Sequence, residues 1–329
     1  MKKQSVLIYF CGLIILLLVS TSAISQTKTK VTLTYGGDLI SRKKIGDALS
    51  AIIQEANKIA LGYGDLENVH QYCTNEGFKS LKDLLHATGI FTTVREFKRH
   101  LLITPDYQYE VRGIKVRVKM GKTKGSNLQE LVFKLNDNRK VVNVNFAMEQ
   151  HHYQNIIEQG KRLDDMFMRK MALDFLEEFR TAHNRKDINY LERAYSDDAL
   201  IIVGRVLKQQ KGLSDALETS FLGDDRIEFI KLKKKEYISR LRSVFQLNSF
   251  VNVTFIDAEV VKHPVHDKIY GIKVKQRWNS SRYNDEGYLF VMIDFRQDEK
   301  KPLIRVRSWQ PEPFQDGTVV GLGHFEIIN

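Results

Sequence analysis

The chain has 329 residues, a formal net charge of +11, 43% hydrophobic residues and 28% charged residues. That length allows two domains with full cores, and that composition excludes extensive disorder. The positive excess is spread along the chain and is densest at Lys231-Leu232-Lys233-Lys234-Lys235. It lacks the grouping of basic residues with exposed aromatics that marks nucleic-acid binders, so no nucleic-acid partner is expected.

Lys2 and Lys3 precede an apolar run from Val6 to Val19, and Ala23-Ile24-Ser25 sets small residues just before Gln26. Residues 1–25 therefore read as a secretory signal peptide, which places the protein in the periplasm or outside the cell. The run is shorter than the ~20 residues of a membrane span. An uncleaved N-terminal membrane anchor is the alternative. Cys11 falls inside the run, so Cys73 is the lone cysteine of the exported chain, and neither an internal disulfide nor a zinc ribbon is expected.

Val31 to Tyr35 alternates as a short strand. Ile45, Ala48, Leu49, Ile52, Ile53, Ala56, Ile59 and Ala60 have the spacing of an amphipathic helix, which Gly62 and Gly64 end. Asp65 starts a short helix to Tyr72, and Phe78, Leu81, Leu84 and Leu85 make a third, closed near Gly89. Three strand patterns follow, Tyr107 to Lys119, Leu128 to Leu135 and Val141 to Phe146. They complete an N-terminal α+β domain over residues 26–150.

The polar residues 151–165 read as a linker, and 166–329 as the C-terminal domain. A strong helix runs from Met168 to His183, and Asp187 caps a short one from Ile188 to Tyr195. Ala199 to Val203 is a short buried strand, Leu213 to Phe221 a helix, Ile227 to Leu232 a strand and Tyr237 to Phe245 a helix. Phe250 to Lys262 is a long strand that leads through His263-Pro264-Val265-His266 into three more. The first, Ile269 to Trp278, sets Ile272, Val274 and Trp278 on one face and Lys273, Lys275 and Arg277 on the other. A loop, Asn279 to Gly287, connects it to the apolar strand Tyr288 to Phe295. Leu303 to Trp309 returns, with Arg305 and Arg307 alternating outward, and Pro311 and Pro313 stop the ladder.

Gly113-Ile114-Lys115-Val116 repeats as Gly271-Ile272-Lys273-Val274, and in both places the same order of strand, loop, strand, turn and strand follows. An internal duplication is the reading. The stretch Phe175 to Ile188, with Tyr195-Ser196-Asp197-Asp198-Ala199-Leu200, resembles the nuclear transport factor 2-like (SnoaL-like) superfamily. The resemblance covers Met168 to Glu312, and Ile45 to Glu149 more weakly. It implies an α+β fold in which a curved antiparallel sheet wraps around helices as a cone. The second domain is the clear copy and the first a degenerate one.

Enzymes of that superfamily place an acid–base pair inside the cone. The resemblance implies a pocket whose candidate lining is His183, Tyr195, Tyr237, Gln276, Trp278, Asp294 and Trp309. No residue is assigned a catalytic role, and no cofactor or metal is expected. His263-Pro264-Val265-His266-Asp267 is a turn without further ligands nearby. The reading is an exported, non-catalytic module of the cell envelope that binds a small apolar ligand or an envelope protein. The alternative is an isomerase, dehydratase or cyclase acting on an apolar small molecule. The outer row of Lys273, Lys275, Arg277, Arg305 and Arg307 points to solvent or to an anionic surface.

Overall fold

A computed structural model describes residues 28–104, 109–119, 127–206 and 227–325. The segment read as a signal peptide and the helix expected over Leu213–Phe221 lie outside the described residues. The chain divides into two compact units, one ending at Val144 and the other running from Asn145.

The first unit begins with β1 (Lys30–Tyr35) and α1 (Leu39–Ala60), followed by a 3-10 turn (Leu66–Tyr72) and α2 (Asn75–Thr88). Then come β2 (Glu96–His100), β3 (Tyr109–Arg117), β4 (Leu128–Leu135) and β5 (Val141–Ala147), whose last residues lie past the boundary. β1 pairs in parallel with β2, a strand not read from the sequence. β3, β4 and β5 form a separate sheet in that order. α1 starts before its apolar pattern because Asp38 caps it, its carboxylate accepting from the Ser41 amide at 2.8 Å. Gly89, with φ of 57°, closes α2 in the left-handed conformation that glycine adopts without strain. Gly113 is also left-handed, with φ of 76°, beside a register break between Val111 and Ile114. The Arg99 guanidinium donates twice to its carbonyl, at 2.9 and 2.7 Å.

The second unit opens with α3 (Gln150–Glu158), α4 (Leu163–Arg185) and α5 (Ile188–Ala194). β6 (Tyr195–Val206), β7 (Ile227–Leu232) and α6 (Lys234–Leu247) follow. β8 (Val251–Lys262), β9 (Ile269–Ser280), β10 (Asn284–Asp294) and β11 (Leu303–Gln310) complete it. One six-stranded sheet has the order β7-β6-β11-β10-β9-β8, antiparallel except where β6 pairs in parallel with β11. The segment read as a linker contains α3, whose Tyr153 and Ile156 are buried in this unit's core. Tyr153 donates its hydroxyl proton to Asp174 at 2.7 Å.

α4 lies on β8. Arg180 Nε donates to the Val253 carbonyl at 3.0 Å, and the Val253 amide donates to Asn184 Oδ1 at 2.6 Å. Phe175, Leu176 and Phe179 of α4 share one core with Ile201, Val274, Leu289, Val291 and Ile293 of the sheet. Each such side chain contributes about 2 kcal/mol by leaving water. On the other face Phe290, Met292 and Val306 form a smaller cluster, covered by Phe314, Leu322 and Phe325 of the C-terminal segment.

Two features of this sheet differ from the sequence reading. The loop expected over Asn279–Gly287 is a tight hairpin: β9 and β10 pair out to Asn279 and Asn284, and Ser280 closes the turn on the Tyr283 carbonyl. β11 carries a one-residue bulge, since Met292 faces Val306 while Ile293 faces Ile304. An extra residue reverses which face each later side chain takes. Ile304 joins the core under α4, Val306 joins the opposite cluster, and Arg307 turns inward. The expectation that Arg305 and Arg307 share an outer face is corrected by this bulge.

Candidate functional site

Between α6 and the sheet of the second unit lies a pocket of about 250 Å³. Tyr237, Leu241 and Val244 of α6 form one wall, with Arg240 beside them. Gln276 and Trp278 of β9, with Arg307 and Trp309 of β11, form the sheet wall. Val203 and Leu232 close the side nearest β6 and β7, and Tyr283 and Asp285 stand at the hairpin end.

Local backbone geometry sets this wall. The hairpin brings Tyr283 back over Trp278, the rings stacked at 6.0 Å and 6°. Gly287 lets Trp309 lie across β10: a Cβ there would sit 2.8 Å from the indole and 2.5 Å from the Gln310 carbonyl oxygen. Any larger residue displaces Trp309 or opens the β10–β11 pairing. The bulge delivers Arg307 to the same wall, where its guanidinium carbon lies 4.9 Å from the Tyr237 ring centre.

Of the seven residues expected at a pocket, Tyr237, Gln276, Trp278 and Trp309 line it, and His183, Tyr195 and Asp294 do not. His183 is buried behind the wall, edge-on to Trp278, Phe179 and Phe245. Its Nδ1 donates to the Phe179 carbonyl at 2.8 Å, the bond a helix residue makes one turn back. Burial lowers its pKa to about 4, with the Arg307 charge acting in the same direction, so the ring is neutral at pH 7. Tyr195 packs against Tyr237 with its hydroxyl enclosed and without a hydrogen-bond partner. Burial pushes its phenol well above the ordinary value, and it stays protonated.

Asp294 lies at the end of β10, one residue past Ile293, so it alternates onto the face away from the pocket. It is 3% exposed and is held by two arginines. Arg296 reaches it with Nε at 3.0 Å and Nη2 at 2.9 Å, and Arg305 with Nε at 3.0 Å. Burial pushes the Asp294 carboxyl up, but the hydrogen bonds from Arg296 and Arg305 outweigh it and hold the group below the usual carboxylate value.

No family model and no curated protein matches the chain. Solved structures are similar to parts of it. One is Bd1075 of Bdellovibrio bacteriovorus, at 14% identity over 65% of this chain and 74% of that one, with a TM-score of 0.33. Another is a nuclear transport factor 2-like protein of unknown function from Pseudomonas putida, at 12% identity over 45% and 89%, with a TM-score of 0.29. A third is naphthalene 1,2-dioxygenase with indole bound in its active site, at 8% identity over 52% and 93%, with a TM-score of 0.36. These scores are low, and the fold is described by its own strand order.

Sequence reasoning placed Tyr283 on a sheet rim able to contact a ligand, but missed Arg307 and Asp285 as pocket residues. Arg307 reads as an outward residue from alternation, and nothing in its neighbours signals the bulge. Tyr283 and Asp285 sit in a stretch whose polar composition reads as loop. Asp285 is exposed at the rim, yet the pocket wall desolvates it enough to raise its carboxyl pKa. The outer row is saturated with partners: Lys273 pairs with Glu259, and Lys275 and Arg277 both pair with Glu286.

Proposed function

We propose that the second unit is a non-catalytic module that binds a small organic molecule with a flat apolar body. The observation that supports this most directly is the pocket, walled by Tyr237, Trp278, Trp309 and Tyr283 with a few polar groups among them. Concave sites of that composition are the usual small-molecule sites of proteins. A non-catalytic role is supported by where the expected acid and base lie. His183 is tied to the Phe179 carbonyl, and Asp294 is committed to Arg296 and Arg305 on the other face. In the same proposal the six-stranded sheet and its helices are a cone of the nuclear transport factor 2-like kind, as the resemblance over Phe175 to Leu200 implies. Export to the periplasm or beyond completes the proposal, supported by the pattern of residues 1–25.

The protein contains two tryptophans, Trp278 and Trp309, and both line the pocket. Indole fluorescence and the two indole N–H resonances are therefore reporters of this site alone. Titration of the exported chain with a set of small aromatic compounds is expected to move both signals saturably. Binding that leaves both indoles unchanged, or no binding across the set, overturns the proposal.

A second reading, an isomerase or dehydratase, is favoured by one observation, the raised carboxyl of Asp285 at the pocket rim. Ligand spectra recorded after long incubation in heavy water separate the two readings. Unchanged ligand supports the binding module, and deuterium uptake or loss of water that the Asp285→Asn variant abolishes supports the enzyme.

A further inference from the structure

Among the described residues, the cations within β9 and β11 are paired with carboxylates, except Arg307. Lys273, Lys275 and Arg277 each have a glutamate, and Arg296 and Arg305 share Asp294. Arg307 is 7% exposed, and among the described residues its side chain has no ion pair, its polar neighbour being the Tyr195 phenol. Its Nε is enclosed without an acceptor, and the Tyr237 ring face lies against its guanidinium. A buried cation is costly unless it is paired and hydrogen-bonded, and a ring face replaces only part of its lost hydration.

Further donors around the pocket are in the same position. Trp278 Nε1 is enclosed without an acceptor, and so is the Tyr195 hydroxyl that packs against Tyr237. Indole and guanidinium groups can only donate. Two side chains of the pocket wall, Arg307 and Trp278, thus each hold an enclosed nitrogen that can only donate and has no acceptor. Asp285 does not redress this. It stands at the hairpin end of the pocket and forms no ion pair with Arg307 among the described residues.

We propose that the pocket is a receptor for a small monocarboxylate with an aromatic or cyclic body, its carboxylate paired with Arg307. This rests on the pocket reading given above and adds the class of ligand. The planar fork of a guanidinium matches the two oxygens of a carboxylate. The ring body fills the space between Tyr237, Trp278 and Trp309, area that an inorganic anion leaves unused. Asp285 at the rim opposes a second negative charge and selects against dianions. Arg307 serves here as a recognition residue whose partner arrives with the ligand.

The test compares the full chain's response to benzoate and phenylacetate with its response to the neutral isosteres benzamide and phenylacetamide, and to inorganic phosphate. Trp278 and Trp309 signals and calorimetry are the readouts. The acids are expected to bind at least tenfold more tightly than their amides, and phosphate not at all. Arg307→Met is expected to remove the preference for acid over amide while amide binding persists. Arg307→Lys, which keeps the charge and loses the fork, is expected to retain part of it and covers the case where the methionine variant folds poorly. Equal binding of acid and amide overturns the carboxylate inference and leaves the pocket reading standing. So does a preference that survives in Arg307→Met. Phosphate binding as tight as benzoate points to a general anion site and also overturns it. If no compound moves either tryptophan, both readings fail together.

Discussion

Two regions of the second unit lie two residues apart on β11 and treat charge in opposite ways. Around Arg305 every charge is matched. Its Nε holds Asp294, its Nη1 reaches Ser196 at 2.7 Å and Asp198 at 2.9 Å, and Arg296 completes the set. Around Arg307 no carboxylate is paired, and its Nε and the Trp278 indole nitrogen are enclosed without an acceptor. Buried polar groups in folded proteins are nearly always satisfied, so departures call for a reason. The difference separates frame from site. The Arg305 cluster ties the end of β10 to β11 and the start of β6, and its groups serve each other. The Arg307 cluster borders the cavity, where the proposed carboxylate would meet it.

The largest expected effect breaks the matched side. Asp294→Asn removes the carboxylate shared by two arginines, and loss of one partner of a buried ion pair costs about 3 kcal/mol. Urea unfolding of the variant checks this, and a cost near zero would show that the cluster does not hold the sheet.

A pH effect of similar size belongs to the pocket side. His183 binds its proton near pH 6.5 when unfolded and near pH 4 when folded. Stability rises with pH wherever the unfolded chain binds more protons. His183 therefore contributes nothing adverse above pH 6.5, and its effect grows as pH falls toward 4, reaching about 3 kcal/mol of lost stability. His183→Gln is expected to flatten that part of the pH–stability curve, and an unchanged slope would place the titrating group elsewhere.

Arg305→Met leaves Asp294 with Arg296 alone and is expected to cost about 2 kcal/mol. The smallest effect is the most informative. Arg307→Met removes a buried cation that has no carboxylate partner, so stability is expected to stay level or rise by about 1 kcal/mol, since apolar replacement of poorly paired buried charge is often stabilising. Two arginine-to-methionine changes two residues apart should then differ in sign. If Arg307→Met is as costly as Arg305→Met, the stack on Tyr237 is structural and the contrast between the two regions dissolves.

The two glycine-led tetrapeptides offer a milder contrast. Gly113 sits left-handed at a register break with Arg99 on its carbonyl, whereas Gly271 lies within β9 with the Phe290 ring 2.9 Å from where a Cβ would stand. Four identical residues occupy strands in both units, and the glycine answers a backbone need in one and a packing need in the other.

Much of the second unit was legible because its signals are local. The 3.6-residue pattern of Phe175, Leu176 and Phe179 and the Asp187 cap, which accepts from the Tyr190 amide at 3.0 Å, predict α4 and α5 from neighbours in sequence. Alternation along Ile269 to Trp278 matches the alternating burial of β9, whose Gln276 and Trp278 face the cavity beside α6. What remained hidden depended on partners far away in the chain. The parallel pairing of β6 with β11 is set by packing between strands about a hundred residues apart, and β6 begins at Tyr195 although Ser196-Asp197-Asp198 reads as a turn. The bulge at Arg305 arises where that residue bridges to Asp294, Ser196 and Asp198 at once. The sequence by itself determined the long helices and the central strands, such as α1, α4, β9 and β10, because those periods are written in adjacent residues. Only the tertiary structure decided that Arg307 faces inward, because one extra residue in a strand reverses the parity of all that follow, and what selects it is the partner strand.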